Sequence, residues 1–415
     1  MTDVVRHRRI ALLLAVIAVA VRIAAGEIAI AQGRAFLPDS ELYWGYAESL
    51  AQHGTFQVGG VGARRTPGYP LFIAACTRTC GLGDPVVPPP KSQLRAVIFA
   101  QAILGGLIAA TTWSVANRLI GDDPAFNGTA AIAGLSAAID PFAIAIAAWV
   151  LSETLFTAAL MAVIWLATST RIGIGRSVLI GAMAGVAVLA RPSGLLLAPF
   201  GLILVGRRWG MAKSMTAVVA FTVLLSPWIF RNWRLYDRFV PTTLNVGESL
   251  YDGWNPNAGG GSDMKFVDRR KEIHGPPNGP ADEIAEDAFW KSEATEWAKE
   301  NPKRVLELAA IKLWRFWSPW PNAAEFQSPL IVVGCTAFSI IIYGGAILSV
   351  VALTRRGRWS AIAVGLIPAA YFALLHAVFV SSVRYRVPAM PMLEVLTGAG
   401  IAWVVNRRAR SSGEA

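Results

Sequence analysis

The chain of 415 residues is 54% apolar and only 16% charged, well below the roughly 25% charge of an ordinary soluble domain, and this excludes a soluble fold. Its net charge of +11 does not read as a nucleic-acid surface. The Lys and Arg lie at the ends of apolar runs, the pattern of loops held on the cytoplasmic side of a membrane.

Runs of about 20 apolar residues cross the bilayer as helices. Here they are unbroken rather than alternating, so helices and not a barrel satisfy the backbone. The predicted fold class is an all-α polytopic membrane protein of about ten transmembrane helices, over 10–31, 93–119, 129–140, 146–170, 177–190, 193–205, 214–230, 329–353, 359–380 and 388–405. Arg6-His7-Arg8-Arg9 before an apolar run resembles a signal peptide. Arg22 and Glu27 interrupt the run and its length exceeds a usual signal core, so a retained first span is expected.

Threading the spans as alternate crossings places Arg6–Arg9, Arg171–Arg176, Arg207–Lys213, Arg355–Arg358 and Arg407–Arg410 on one side. By the positive-inside rule this is the cytoplasm, which also receives both termini. The chain then divides into a transmembrane core at 1–231 with a first outer loop at 32–92, an outward region at 232–328, and C-terminal helices with a tail at 329–415. The stretch 177–205 tests the scheme. One long span would bury Arg191 at mid-bilayer, whereas Arg191-Pro192-Ser193-Gly194 is turn chemistry, so two short helices are expected.

In the first outer loop Leu42, Tyr46 and Leu50 recur at helical spacing and Gly54 closes a juxtamembrane helix. A second apolar helix runs to about Cys80, and a Cys76–Cys80 pairing is weakly suggested. In the large outer block, Asn255 to Pro280 reads as a mobile loop. Asn301-Pro302 restarts a helix with Asn as its cap, and Trp314, Trp317 and Trp320 read as interfacial anchors.

Ionisable groups gather at the outer ends of the spans: Asp39, Glu41, Arg65, Asp140, Glu153, Arg191, Arg231, Arg384 and Arg386. Such groups near lipid are functional candidates by default. Several Arg with a few carboxylates suit a phosphate and a proton acceptor, because Arg binds phosphate oxygens bidentately and keeps its charge. Each has a plainer reading. Asp39 after Pro38 reads equally as a helix cap, Glu153 and Asp140 as cap and turn residues, the arginines as headgroup anchors, and His376 as a packed polar residue.

Taken in order, these segments resemble the C-type membrane glycosyltransferases, the group that includes protein O-mannosyltransferases and bacterial lipid A aminoarabinose transferases. The carrying motifs are Asp39-Ser40-Glu41-Leu42-Tyr43, Arg65-Thr66-Pro67-Gly68-Tyr69-Pro70, Ser152-Glu153, Ala190-Arg191-Pro192, Pro227-Trp228 with Arg231-Asn232, and Arg384-Tyr385-Arg386. The resemblance implies a sugar donor on a polyprenyl phosphate, used at the outer face of the cell membrane with inversion. The acceptor would be a glycolipid, polysaccharide or protein. It implies Asp39 or Glu41 as the base, Arg65, Arg191, Arg231, Arg384 and Arg386 as donor phosphate ligands, and Tyr43, Asp140, Glu153 and Tyr385 as accessory groups. Ser40 stands where relatives carry adjacent Asp-Glu, which leaves the base and the binding of a divalent metal open. A transporter would place charges mid-membrane between repeats, and no repeat is visible. A non-catalytic scaffold would leave Asp39 dispensable.

Overall fold

The computed structural model describes residues 2–78, 88–170, 173–195, 210–323 and 326–413. Among these the secondary structure is helical, with one isolated bridge between Val58 and Val61. The helices are α1 Thr2–Ala31, α2 Pro38–His53, α3 Gly68–Thr77, α4 Lys91–Ile120, α5 Thr129–Ile139, α6 Pro141–Ala147, α7 Glu153–Ala167 and α8 Ile174–Ala190. They continue with α9 Met211–Tyr236, α10 Val246–Gly253, α11 Lys265–His274, α12 Pro280–Glu300, α13 Pro302–Trp317, α14 Pro329–Arg355, α15 Trp359–Val378 and α16 Met390–Gly413.

Six helices among the described residues are long and apolar enough to cross a membrane, and a seventh span is formed if the bent pair α5–α6 counts as one. Helices α7 and α8 are apolar but shorter. The bend of 45° between α5 and α6 falls at Asp140-Pro141. Pro141 lacks an N–H, and Asp140 Oδ1 accepts instead from Phe142 N at 2.8 Å and Ala143 N at 3.3 Å.

Helix α16 and the turn before it are buried along most of their length, whereas α1, α9 and α14 expose long apolar faces. The outer helices therefore meet lipid and α16 is the axis of the bundle. Its close neighbours are α5 and α14. Gly400 and Gly345 permit the last approach, since a Cβ on Gly400 would lie 2.0 Å from Gly345 O.

Several expectations need correction. Residues 255–280 are not one loop, because Lys265–His274 forms α11. Helix α9 continues through Pro227 to Tyr236 and stops only where Asp237 takes φ 50°. Asn301 does not cap α13 with its side chain; its Nδ2 donates back to Trp297 O at 2.9 Å and closes α12. The expected turn after α8 is present, with a 3-10 turn at Pro192–Gly194. Most of the predicted span 193–205, and the Cys76–Cys80 pairing through Cys80, lie outside the described residues.

Candidate active site

The first turn of helix α2 is set by Ser40. The Ser40 hydroxyl accepts from Leu37 N at 3.0 Å and donates to Val150 O at 2.9 Å. Ser40 therefore does the capping, is fully buried, and leaves its neighbours facing out. Asp39 is not the cap. Glu41 is exposed and forms no ion pair among the described residues.

Asp39 Oδ2 accepts from Arg384 Nη1 at 2.8 Å. Arg384 Nε also bonds Glu153 Oε1, which receives Arg191 Nη1 at 2.8 Å as well. Ser152 Oγ joins this group, 3.2 Å from Arg191 Nη1 and 3.2 Å from the Tyr43 hydroxyl. The Arg65 guanidinium lies 5.4 Å from the centre of the Tyr43 ring. Side-chain exposure is 1% at Glu153, 21% at Arg384 and 49% at Asp39, so the cluster opens outward at Asp39.

Three guanidinium groups (Arg65, Arg191, Arg384) act on Asp39, against two carboxylates, Asp39 and Glu153. The excess positive charge suits an anion. Burial pushes the Asp39 carboxyl up, but Arg384 first, then Arg65 and Arg191, outweigh it and hold it below the ordinary carboxylate range. Among the described residues Arg65 Nε and Glu153 Oε2 are buried without a hydrogen-bond partner, which leaves polar capacity inside the cluster. Tyr385 forms one wall: its ring stacks on His376 at 4.3 Å, and Arg191 and Arg384 lie 5.8 and 5.7 Å from its centre.

The expected gathering of Arg191, Arg231, Arg384 and Arg386 around one point is only half present. Arg231 donates to Gly62 O, Phe56 O and Asn232 Oδ1 at 2.7–2.8 Å and packs over Trp228. Arg386 is fully buried, bonds Phe316 O at 3.2 Å, Ser318 O and Ser339 Oγ, and lies 4.4 Å from the Phe142 ring centre. It therefore closes the end of α13. The reason is helical phase: Arg384 and Arg386 are two residues apart on a tight turn and point to different sides.

Asp140 also stands apart from this cluster. With Arg22 and Glu394 it lines a cavity of about 20 Å³, room for about one water. Asp140 and Glu394 face one another there as two buried carboxyl groups.

Residues that sequence patterns did not single out support the site. The Tyr69 hydroxyl donates to Gln101 Oε1 at 2.7 Å, and Gln101 Nε2 donates to Ala147 O at 2.9 Å and Trp149 O at 2.8 Å. Tyr69 in turn packs edge-on against Tyr43 at 5.1 Å. The signal available was the Arg-Thr-Pro-Gly-Tyr-Pro segment itself; nothing marked Gln101. His376 Nδ1 lies 2.8 Å from Val380 O. Among the described residues no group of three or more His, Cys, Asp or Glu side chains is placed to hold a metal ion. The two carboxylates of the cluster are both met by arginine, a donor set that favours an anion over a cation.

No family model matches the chain, and no curated protein matches it. Among solved structures, the archaeal oligosaccharyltransferase AglB from Archaeoglobus fulgidus, in complex with an inhibitory peptide and a dolichol-phosphate, is similar over 98% of this chain and 52% of its own. The identity is 13% and the TM-score 0.53. Its apo form gives 94% and 50%, with 14% identity and a TM-score of 0.53. ArnT from Cupriavidus metallidurans bound to undecaprenyl phosphate is similar over 96% of this chain and 78% of its own, at 17% identity and a TM-score of 0.41. The chain spans about half the length of AglB, and the likeness is one of fold.

Proposed function

We propose, from the C-type membrane glycosyltransferase fold that this chain shares, that it transfers a sugar from a polyprenyl-phosphate carrier to a hydroxyl acceptor at the outer face of the membrane. The observation that carries this is the half-exposed carboxylate of Asp39 held against Arg384 within an arginine-rich cluster at the ends of the spans. The neighbour of the same fold, AglB, is in complex with a dolichol-phosphate, a lipid phosphate of the class proposed here.

In this reading Asp39 takes the proton from the acceptor hydroxyl as its oxygen attacks the anomeric carbon. The bond from that carbon to the phosphate oxygen breaks, and the electron pair leaves with the lipid phosphate. One displacement inverts the centre, and one base suffices. Arg384 and Arg191, with Arg65 nearby, stabilise the departing phosphate as its charge grows. In the resting site Asp39 is a weak base, because Arg384 favours its ionised form. A phosphate that binds Arg384 would draw off part of that positive field and raise the basicity of Asp39 as the donor docks. Glu153 holds Arg191 and Arg384 in place from below.

The test is transfer from a synthetic polyprenyl-phosphate sugar by the purified chain. Asn matches Asp in size, and Ser40 already caps α2, so Asp39→Asn leaves folding near wild type. Activity falls at least about a hundredfold, the lower range for a positioned general base. Glu41→Gln costs much less. Near-full transfer by Asp39→Asn would sink this assignment, and a dead Glu41→Gln beside it would move the role to Glu41.

A further inference from the structure

The far end of the bundle carries a second basic site that the proposed chemistry does not use. A pocket of about 280 Å³ opens there between α14, α16 and the turn before α5, lined by Arg355, Arg356, Trp403, Asn406 and Arg407 among others. Helix α16 separates it from the active-site cluster: Met390 to Trp403 is roughly 20 Å of helix at about 1.5 Å per residue. The Arg355 and Arg407 guanidinium groups lie 6.0 and 5.6 Å from the Trp403 ring centre, and among the described residues neither pairs with a carboxylate. Among the described residues the ion-pair partner of Arg356 is Asp123, at 3.5 Å. Three positive groups against one carboxylate leave the pocket about two charges in excess.

The pocket also continues into a lipid-facing surface. Leu348, Val351 and Arg355 are spaced three and four apart on α14, hence on one face, and Leu348 and Val351 are 41% and 43% exposed. The stripe ends in the basic pocket at the level where an indole such as Trp403 sits at a membrane interface. Asn406 Nδ2 donates to Asn127 O at 3.0 Å and Ala125 O at 3.3 Å, which fixes the pocket floor.

We infer that this pocket binds the headgroup of an anionic phospholipid, its phosphate between Arg355 and Arg407 and its acyl chains along Leu348 and Val351. Basic pockets between transmembrane helices recognise lipid phosphates in this way. The site is independent of glycosyl transfer, and its test does not read activity.

Native mass spectrometry of the full chain, released from detergent with phosphatidylglycerol or phosphatidylcholine titrated in, tests it. The wild type keeps one phosphatidylglycerol under activation that strips phosphatidylcholine. The double variant Arg355→Gln/Arg407→Gln binds phosphatidylglycerol at least tenfold more weakly, while Arg355→Lys/Arg407→Lys retains it. Asp123→Asn removes the opposing charge and keeps a residue able to cap the Pro124–Phe126 turn, so it tightens binding. That variant decides the matter if the double variant does not fold. Equal retention of the two lipids by the wild type would overturn the inference, as would unchanged binding in Asp123→Asn. Displacement by inorganic phosphate alone, or by undecaprenyl phosphate at a tenth of the concentration, would likewise assign the pocket to a different phosphate.

Discussion

Asp39 and Arg384 are 345 residues apart in sequence and 2.8 Å apart in space, so the state of one cannot be discussed without the other. Because the arginines depress the Asp39 pKa, the base stays ionised well into acid. The ion pair's contribution to stability is likewise present above the unfolded Asp pKa and is lost as pH falls through the lower folded value. The acid limb of kcat/KM, which reports the free enzyme, is therefore expected below the ordinary Asp value of about 3.9. A limb near pH 6 that vanishes in Asp39→Asn would contradict it. Arg191 and Arg386 separate two roles. Arg191→Ala weakens donor use by about 1.5–3 kcal/mol, the scale of one charge-assisted bond, and costs less stability than Arg386→Ala because Arg384 still pairs with the buried Glu153. Arg386→Ala leaves carbonyls at the end of α13 without donors, at about 1–3 kcal/mol each, and lowers the thermal midpoint first. Equal midpoints for the two variants would erase that distinction.

At the scale of elements, α12 and α13 are fastened to the bundle by buried charges rather than by an apolar core alone. Glu283 on α12 accepts from Gly62 N at 3.0 Å, Ala63 N at 2.9 Å and the Tyr236 hydroxyl at 2.5 Å, which ties α12 to the loop that carries Arg65. Lys312 on α13 is fully buried and donates to Val378 O at 2.7 Å, joining α13 to the end of α15. Burial pushes the Lys312 ammonium down to about 8, with Asp252 opposing. The sign follows: the unfolded chain holds this proton up to its ordinary value of 10.5, so between those values unfolding takes up protons and stability rises with pH. Thermal midpoints from pH about 8 to about 10 should rise in the wild type relative to Lys312→Met. Parallel curves for the two proteins would show that Lys312 does not titrate in this window.

For the whole molecule, the basic groups Arg355, Arg356 and Arg407 lie beside Trp403 toward one end of α16, and the candidate cluster with Arg384 precedes its other end, which sets up a test of sidedness. A cysteine placed at Gly259, which is exposed with open space around it, should react with an impermeant thiol reagent in intact cells. One placed at Gly357, in the turn after α14, should not. The neighbouring Gly260 is buried and has a φ of 86°, which makes Gly259 the better outer probe, and Gly357 is exposed at a φ of 67°. Labelling at Gly357 with none at Gly259 would reverse the orientation and move the proposed chemistry to the other face.

The apolar runs, their caps and their breaks are local properties, and for that reason the helical membrane class, the turn at Arg191-Pro192, the end of α2 at Gly54 and the break at Asp140-Pro141 were legible in the order of residues. Candidate site residues were legible as types for the same reason, since charges next to lipid stand out against composition. Which of them meet was not. Arg384 and Arg386 differ by two positions, yet one joins Asp39 and Glu153 while the other closes α13. Arg231 and Asp140, marked by the same logic, bond elsewhere. Asn301 turned back to α12, and α11 formed in a Gly- and Pro-rich stretch. Packing decided these outcomes, because a guanidinium or amide takes whichever buried acceptors the neighbouring helices bring within about 3 Å, and those acceptors come from segments that local pattern does not connect.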